Sequence, residues 1–214
     1  MTSRSPQSLH RLLRQFCSTV SYLRGKSDHS QLQMQLEQLD YVPDYSLPSG
    51  YSIRTYLKSD DPYWIGIIQE AFGKNIPEPP QITLKNILIK PDFDAKSLFF
   101  AIFKDIPIGT ICALTFSTGE TKTGYIHMVA VSPNHQGKKL GRALTLEALQ
   151  YLKKKGIQRV TLDTDDFRIQ AIKTYRNIGF KPIYLDLSHR KRWSKILKGL
   201  KTINHKKQAF IKHN

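Results

Sequence analysis

The last 27 residues of the chain contain no acid, the whole chain contains two cysteines, and no long apolar run occurs. Each absence removes a class of function. Cys17 and Cys112 form neither a metal-spaced nor a redox pair, which argues against a disulfide framework and favours a reducing, cytoplasmic setting. The densest apolar patch, Leu98 to Phe103, falls far short of the roughly 20 residues that span a bilayer. It reads as a core strand, and membrane insertion is not expected. The histidines show no metal-ligand spacing, so no metal is expected, and no Ser/His/Asp set is recognisable.

Positive charge is in excess, +16 in formal terms over 214 residues, and its distribution decides what it means. Residues 188–214 hold nine Lys/Arg and residues 1–30 hold five against Asp28, while residues 31–187 hold nineteen against sixteen acids. A nearly balanced middle argues against a domain built as a nucleic-acid-binding face. Contacts with nucleic acid are left to the basic ends. Hydrophobic content of 40% and this length suit one core with terminal extensions.

Residues 1–24 place Leu9, Leu12, Leu13, Phe16, Val20 and Leu23 at helical spacing among arginines and serines. This predicts an amphipathic helix, with an organellar transit peptide as the minor alternative. Residues 25–50, polar and then marked by Pro43, Pro48 and Gly50, read as a linker. From Tyr51 to about residue 187 the pattern is a single α/β domain. Strands are expected over 51–56, 97–104, 108–116, 124–132, 159–163 and 180–187, with Asp105 to Ile108 as a hairpin and Gly119 to Gly124 as a turn. Helices are expected from Asp60 to Gly73, over 82–90, from Leu140 to Lys155, over 168–178 and over 190–200, before a basic tail at 201–214. The ends, 1–50 and 188–214, are thus set apart from the domain at 51–187.

Within that domain, residues 127–144 join a strand to a helix through a basic turn. Val129 and Val131 alternate with Met128 and Ala130 as in a strand buried on both faces, and Pro133 ends the ladder. The segment from Gln136 through Gly137, Lys138, Lys139 and Leu140 to Gly141 and Arg142 then lies at a helix N-terminus. Orphan backbone N–H groups, the helix dipole and three cations together favour a polyphosphate there. It is not a P-loop, because Gly137 and Gly141 are too close and no Lys-Ser/Thr follows. A dinucleotide Gly-x-Gly-x-x-Gly is also absent.

The turn does resemble the acyl-CoA-binding motif of the GNAT superfamily of N-acetyltransferases, Gln/Arg-x-x-Gly-x-Gly/Ala after a strand ending Val-x-Pro. Val131-Ser132-Pro133, Gln136 and Gly141 carry the match, with Lys139 where the family has its first glycine. Further on, Ala171, Tyr175 and Gly179-Phe180 resemble the family's second hallmark, Asn-x-x-Ala-x-x-x-Tyr-x-x-x-Gly-Phe, with Arg168 in the asparagine position. The resemblance covers residues 51–187. It implies an α/β (α+β) fold with a mixed, mostly antiparallel sheet flanked by helices and splayed between its fourth and fifth strands. It also implies acetyl-CoA (coenzyme A) as cofactor. The pantetheine arm would pair along Val129, Ala130 and Val131, the pyrophosphate would lie on Gln136 to Arg142, and Arg168 would reach a cofactor carbonyl or phosphate.

The implied reaction is direct acetyl transfer to a primary amine of a small molecule or peptide. Tyr175 matches the family's proton donor to the leaving sulfur, and a phenol with a pKa of about 10 is protonated at pH 7. For the base, His127 shares a strand face with Tyr125, Val129 and Val131, and an imidazole near 6.5 suits the task. A hydrogen-bonded sheet histidine fits equally, and Asp163 and Glu70 are alternatives. A GNAT-fold binding module that holds acyl-CoA without turnover, its tails on nucleic acid or an acidic partner, remains a second reading. The state is expected to be monomer or homodimer.

Overall fold

The computed structural model describes residues 30–76, 78–90, 93–118 and 121–212. The helix expected over 1–24 lies outside them. Seven strands form one sheet: β1 (Leu32–Leu36), β2 (Tyr51–Thr55), β3 (Leu98–Phe103), β4 (Ile106–Thr118), β5 (Thr121–Val131), β6 (Arg159–Thr164) and β7 (Lys181–Ile183). Their spatial order is β2-β3-β4-β5-β6-β1-β7. Every neighbour pairs antiparallel except β5 and β6, which run parallel. Among the described residues the α-helices are five: α1 (Asp61–Phe72), α2 (Pro80–Leu88), α3 (Leu140–Lys154), α4 (Ile169–Ile178) and α5 (Leu187–Lys212).

The helices divide between the two faces of the sheet. Leu140, Leu144 and Leu149 of α3, Ile172 and Tyr175 of α4, and Trp193, Ile196 and Leu200 of α5 form one core with Leu32, Met34, Val160 and Leu162. Trp64, Ile67 and Ile68 of α1 and Leu84 and Ile87 of α2 form another with Phe100, Cys112, Leu114 and Tyr125. Helices on both faces explain why β3 reads as an unbroken apolar run.

Several expectations are corrected. The linker over 25–50 contains β1, which lies between β6 and β7, with Leu32 opposite Thr164 and Gln33 opposite Ile183. Its period-two signal, Leu32 and Met34 fully buried against half-buried Gln33 and Gln35, is short and mixed with glutamine, and so passes for polar chain. The residues that follow also pack rather than hang free. Leu39 is buried, Tyr45 donates its hydroxyl to Glu147 at 2.6 Å, and Lys153 Nζ donates to the Asp40 carbonyl. At the other end, the strand expected over 180–187 shrinks to three residues, and the helix over 190–200 and the tail behind it form one helix to Lys212. Gly199 does not stop it. Because Trp193 is fully buried in the main core, the first half of α5 belongs to the domain.

Two turns are corrected: the hairpin expected over 105–108 tightens to Lys104 and Asp105, since Ile106 already pairs with Phe103 and Pro107 with Ile102, and the turn expected at 119–124 gives way to strand from Thr121. Lys104 (φ 48°) and Asp105 (φ 64°) both have positive φ between β3 and β4, the pattern of a two-residue hairpin turn. Gly124, expected in a turn, lies inside β5 opposite Thr115 and Val160. A Cβ there would sit 2.8 Å from Leu152 Cδ1 and 3.2 Å from Ile157 Cγ2. Glycine is what lets α3 approach the sheet. Gly124→Ala is therefore expected to destabilise the fold by about 1–3 kcal/mol through overpacking, read as a lower urea midpoint; an unchanged midpoint would show that Leu152 yields without cost.

Candidate active site

Strands β5 and β6 pair from Thr123↔Arg159 to Ile126↔Leu162 and then separate. The separation coincides with a bulge. Thr110 faces Ala130 but Cys112 faces His127, so β5 carries one more residue than β4 over this stretch, and Met128 takes φ 52°. One extra residue inverts the facing of everything after it. Val129 and Val131 pack toward the α3 and α4 side, whereas Met128 and Ala130 pack toward α1 and α2. His127 stays with Tyr125, ring centroids 5.8 Å apart, and does not share a face with Val129 and Val131 as a regular strand would place it.

The bulge leaves β5 with an open edge. Ser132 N–H donates to the Ile108 carbonyl at 2.8 Å, so by antiparallel alternation Ala130 bonds toward β4 while Val129 and Val131 direct their N–H groups into the opening. Beyond the edge, Pro133–His135 makes a short 3-10 turn held by a 2.9 Å hydrogen bond between Tyr51 Oη and His135 Nδ1. Gln136 Nε2 donates to the Val131 carbonyl at 3.0 Å, so this side chain fastens the turn to the strand end.

The turn then presents its backbone. Gly137 (φ 76°) and Lys139 (φ 60°) are left-handed, and α3 begins at Leu140, which is buried. Among the described residues, none of the N–H groups from Gly137 to Arg142 donates to a backbone acceptor; the first to do so is that of Ala143, to the Lys139 carbonyl at 3.0 Å. A Cβ on Gly141 would meet nothing within 4 Å. A phosphate can therefore reach these amides without displacing protein. Lys138 and Lys139 are exposed and Arg142 is half-buried beside them. Lys139 occupies the conformation for which glycine is suited, at a cost of roughly 1–2 kcal/mol for an L side chain.

At the second motif, Arg168 stands at the N-terminal boundary of α4, but its guanidinium is engaged elsewhere. Its Nε lies 3.2 Å from Asp165 Oδ2 and its Cζ is 4.1 Å from the Phe72 ring centroid, so it ties α1 to the loop before α4. Tyr175 is buried in the main core beside Phe180, and burial pushes its phenol up to about 12 despite the opposing Arg168 charge. It is a donor at neutral pH. His127 behaves differently from a titrating base: burial, and then the charge of Lys90, push its imidazole down to about 3. Glu70 lies exposed on α1. Asp163 is half-buried at the opening and accepts a hydrogen bond from Tyr125 Oη at 3.0 Å. Tyr125, Gln33 and Lys90 carry no motif; the strand register brings the first two to this place and the end of α2 brings the third.

Among the described residues no group of three His, Cys, Asp or Glu is placed to hold a metal ion, and no helix is long and apolar enough to cross a membrane. Residues 61–180 match the model of the Acetyltransferase (GNAT) family. Over 171 residues the chain is 30% identical to the mycothiol acetyltransferase of Frankia casuarinae, a match covering 74% of this chain and 49% of that protein. The chain spans about half the length of the curated relatives it matches. Its fold is similar to that of a GCN5-related N-acetyltransferase from Sphaerobacter thermophilus, with a TM-score of 0.55, 23% identity, and coverage of 84% of this chain and 54% of that one. It is also similar to an aminoglycoside N-acetyltransferase solved in complex with CoA, with a TM-score of 0.52, 16% identity, and coverage of 64% and 91%.

Two outcomes follow from the Lys139 backbone and from the half-buried, desolvated His127 ring. Lys139→Gly is expected to raise stability by about 1 kcal/mol, because the strain removed exceeds the extra chain entropy lost, as measured by the urea midpoint. For His127, the unfolded ring takes up a proton near pH 6.5 and the folded ring does not until about pH 3. Its contribution is complete above 6.5 and is lost as pH falls toward 3. Wild type is therefore expected to lose more stability than His127→Gln between pH 6.5 and 4; equal slopes in chemical denaturation would show that the ring titrates normally.

Proposed function

The chain belongs to the Acetyltransferase (GNAT) family, and we propose that it moves an acetyl group from acetyl-CoA to a primary amine by direct transfer in a ternary complex. The observation that carries this reading is the continuity of unpaired backbone. An open edge at Val129 and Val131 leads directly to the unpaired amides of Gly137 to Arg142 at the start of α3. A strand edge suits the amides of an extended pantetheine arm, and a helix N-terminus suits a pyrophosphate.

Bound acetyl-CoA supplies an activated thioester; the chain's own groups do the rest. Lys138, Lys139 and Arg142 add charge to the amide cradle, Ala130 keeps the strand end packed against β4, and Gln136 holds the turn in place. Tyr175, kept protonated by burial, is the proton donor to the departing sulfur. Arg168 acts at a remove, by fixing the start of α4 through Asp165 and Phe72. His127 in its neutral form is a hydrogen-bonding wall of the site rather than the base. Direct transfer is favoured over an acyl-enzyme because the cysteine among the described residues, Cys112, is buried, with its thiol pushed up to about 12 by that burial, and so offers no thiolate. The names of the relatives favour a small-molecule amine as acceptor. A binding module without turnover is the weaker reading, since a protonated tyrosine and an intact cradle are both in place. A cytoplasmic setting accords with the free thiol of Cys112.

Calorimetry with acetyl-CoA and a primary-amine panel assayed for acetyl-CoA consumption test this directly; no binding at millimolar acetyl-CoA would refute it. Tyr175→Phe is expected to lower kcat by about 100-fold or more while leaving the Kd for acetyl-CoA within about twofold. An unchanged kcat removes Tyr175 from the chemistry. The pH–rate profile is expected to show no step assignable to His127 between pH 5 and 8, and His127→Gln is expected to leave its shape unaltered.

A further inference from the structure

The opening between β5 and β6 ends in an apex with chemistry of its own. Ile126↔Leu162 is the last pair, so His127 and Asp163 are the first residues on either side of the gap. They sit on the face opposite the α3–α4 core, where Tyr125 bridges them with its hydroxyl 3.0 Å from Asp163 Oδ2 and its ring 5.8 Å from that of His127. Across the next ladder, Gln33 of β1 stands directly opposite Asp163. Residues of β1 and β6 that face the main core, Leu32, Met34, Val160 and Leu162, are completely or almost completely buried. On the apex face Gln33, Gln35 and Asp163 are only half-buried, while Thr161 between them is buried. This half of the sheet is a polar floor that begins where the strand edge ends.

The floor is rich in acceptors. Gln33 Oε1 is buried without a hydrogen-bond partner, a costly state for an amide oxygen unless something donates to it. His127 is neutral and keeps one acceptor nitrogen, and Asp163 brings a carboxylate. A cation nearby is Lys90, in the segment after α2, whose ammonium lies 5.6 Å from the Phe116 ring centroid and whose charge acts on His127. Carboxylate, amide oxygen and imidazole nitrogen together match the three N–H donors of a primary ammonium.

We infer that Asp163, with Gln33 and His127, forms the subsite that selects a small primary amine as the acyl acceptor by recognising its ammonium at the apex. One proton leaves that nitrogen to solvent before it attacks the thioester carbon, the C–N bond forms as the C–S bond breaks and Tyr175 protonates the sulfur, and the second proton lost from nitrogen restores Tyr175. Asp163 is the specificity-determining residue and Tyr125 positions it. The inference rests on the proposed function, because a ligand laid along Val131 and Val129 from the α3 turn brings its acyl end toward this apex.

The test uses the full chain saturated with CoA and two probes of similar shape, n-butylammonium and n-butanol, titrated by calorimetry to 100 mM. The ammonium is expected to bind at least about tenfold more tightly than the alcohol, the effect of hydrogen bonds to a charged group. Asp163→Asn is expected to reduce that preference to under about threefold while CoA affinity is kept. Should Asp163→Asn lose CoA binding as well, Gln33→Leu decides: about threefold to tenfold weaker ammonium binding is expected, with the alcohol unchanged. A wild type that does not distinguish the probes, or variants that retain the full preference, would overturn the inference. The preceding CoA titration reports on the proposed function separately, since its failure leaves the ammonium preference measurable in CoA-free protein.

Discussion

Strand β5 carries one residue more than the stretch of β4 it faces, and a ladder cannot absorb that residue without turning the strand. The turn falls at Met128, immediately past the last pair with β6. From it follow the open edge, the reversal that sends Val129 and Val131 to one side and His127 to the other, and the apex at which Asp163 and His127 face each other. Had the strand stayed regular, β5 and β6 would be free to pair further and the amides at Val129 and Val131 would have a partner in the sheet.

The rest of the fold holds that opening in a fixed shape. Gly124 admits α3 to the sheet, so the helix that follows the turn is fixed close behind the strand that precedes it. Tyr51 and Gln136 fasten the turn at two points, and Arg168 joins α1 to the loop before α4. Each of these side chains holds a loop in place around the opening, which is how polar residues come to serve geometry.

What could be read from the chain and what could not divides along the same line. The turn from Gln136 to Arg142 was legible because glycine, cation and helix start are local signals, and the alternation of Val129 and Val131 survives a bulge. The bulge itself was not legible, since Met128 is neither glycine nor asparagine and nothing marks it for positive φ. That one omission misplaced His127. β1 was hidden because five residues alternating with glutamine look like polar linker, and its partners are distant in sequence. The contacts of Arg168 with Phe72 and Asp165 could not be read either, because these residues come from elements that no local pattern connects. Charge misled at the C-terminal end, where a cationic surface on α5 concealed a buried stripe of Trp193, Ile196 and Leu200.

The placing of β1 has a consequence for how the molecule is made. This strand is flanked by β6 and β7, so Leu32 must find Thr164 across roughly 130 residues of intervening chain. Such a closure is entropically late, because loop entropy has to be met before the contact returns anything. During synthesis from the ribosome the strand emerges well before either neighbour exists. Until β6 is complete, the apolar stripe of Leu32 and Met34 has no sheet to join, and the sheet's second half cannot be assembled around it. The element of the described sheet that is translated first is thus among the last to be used.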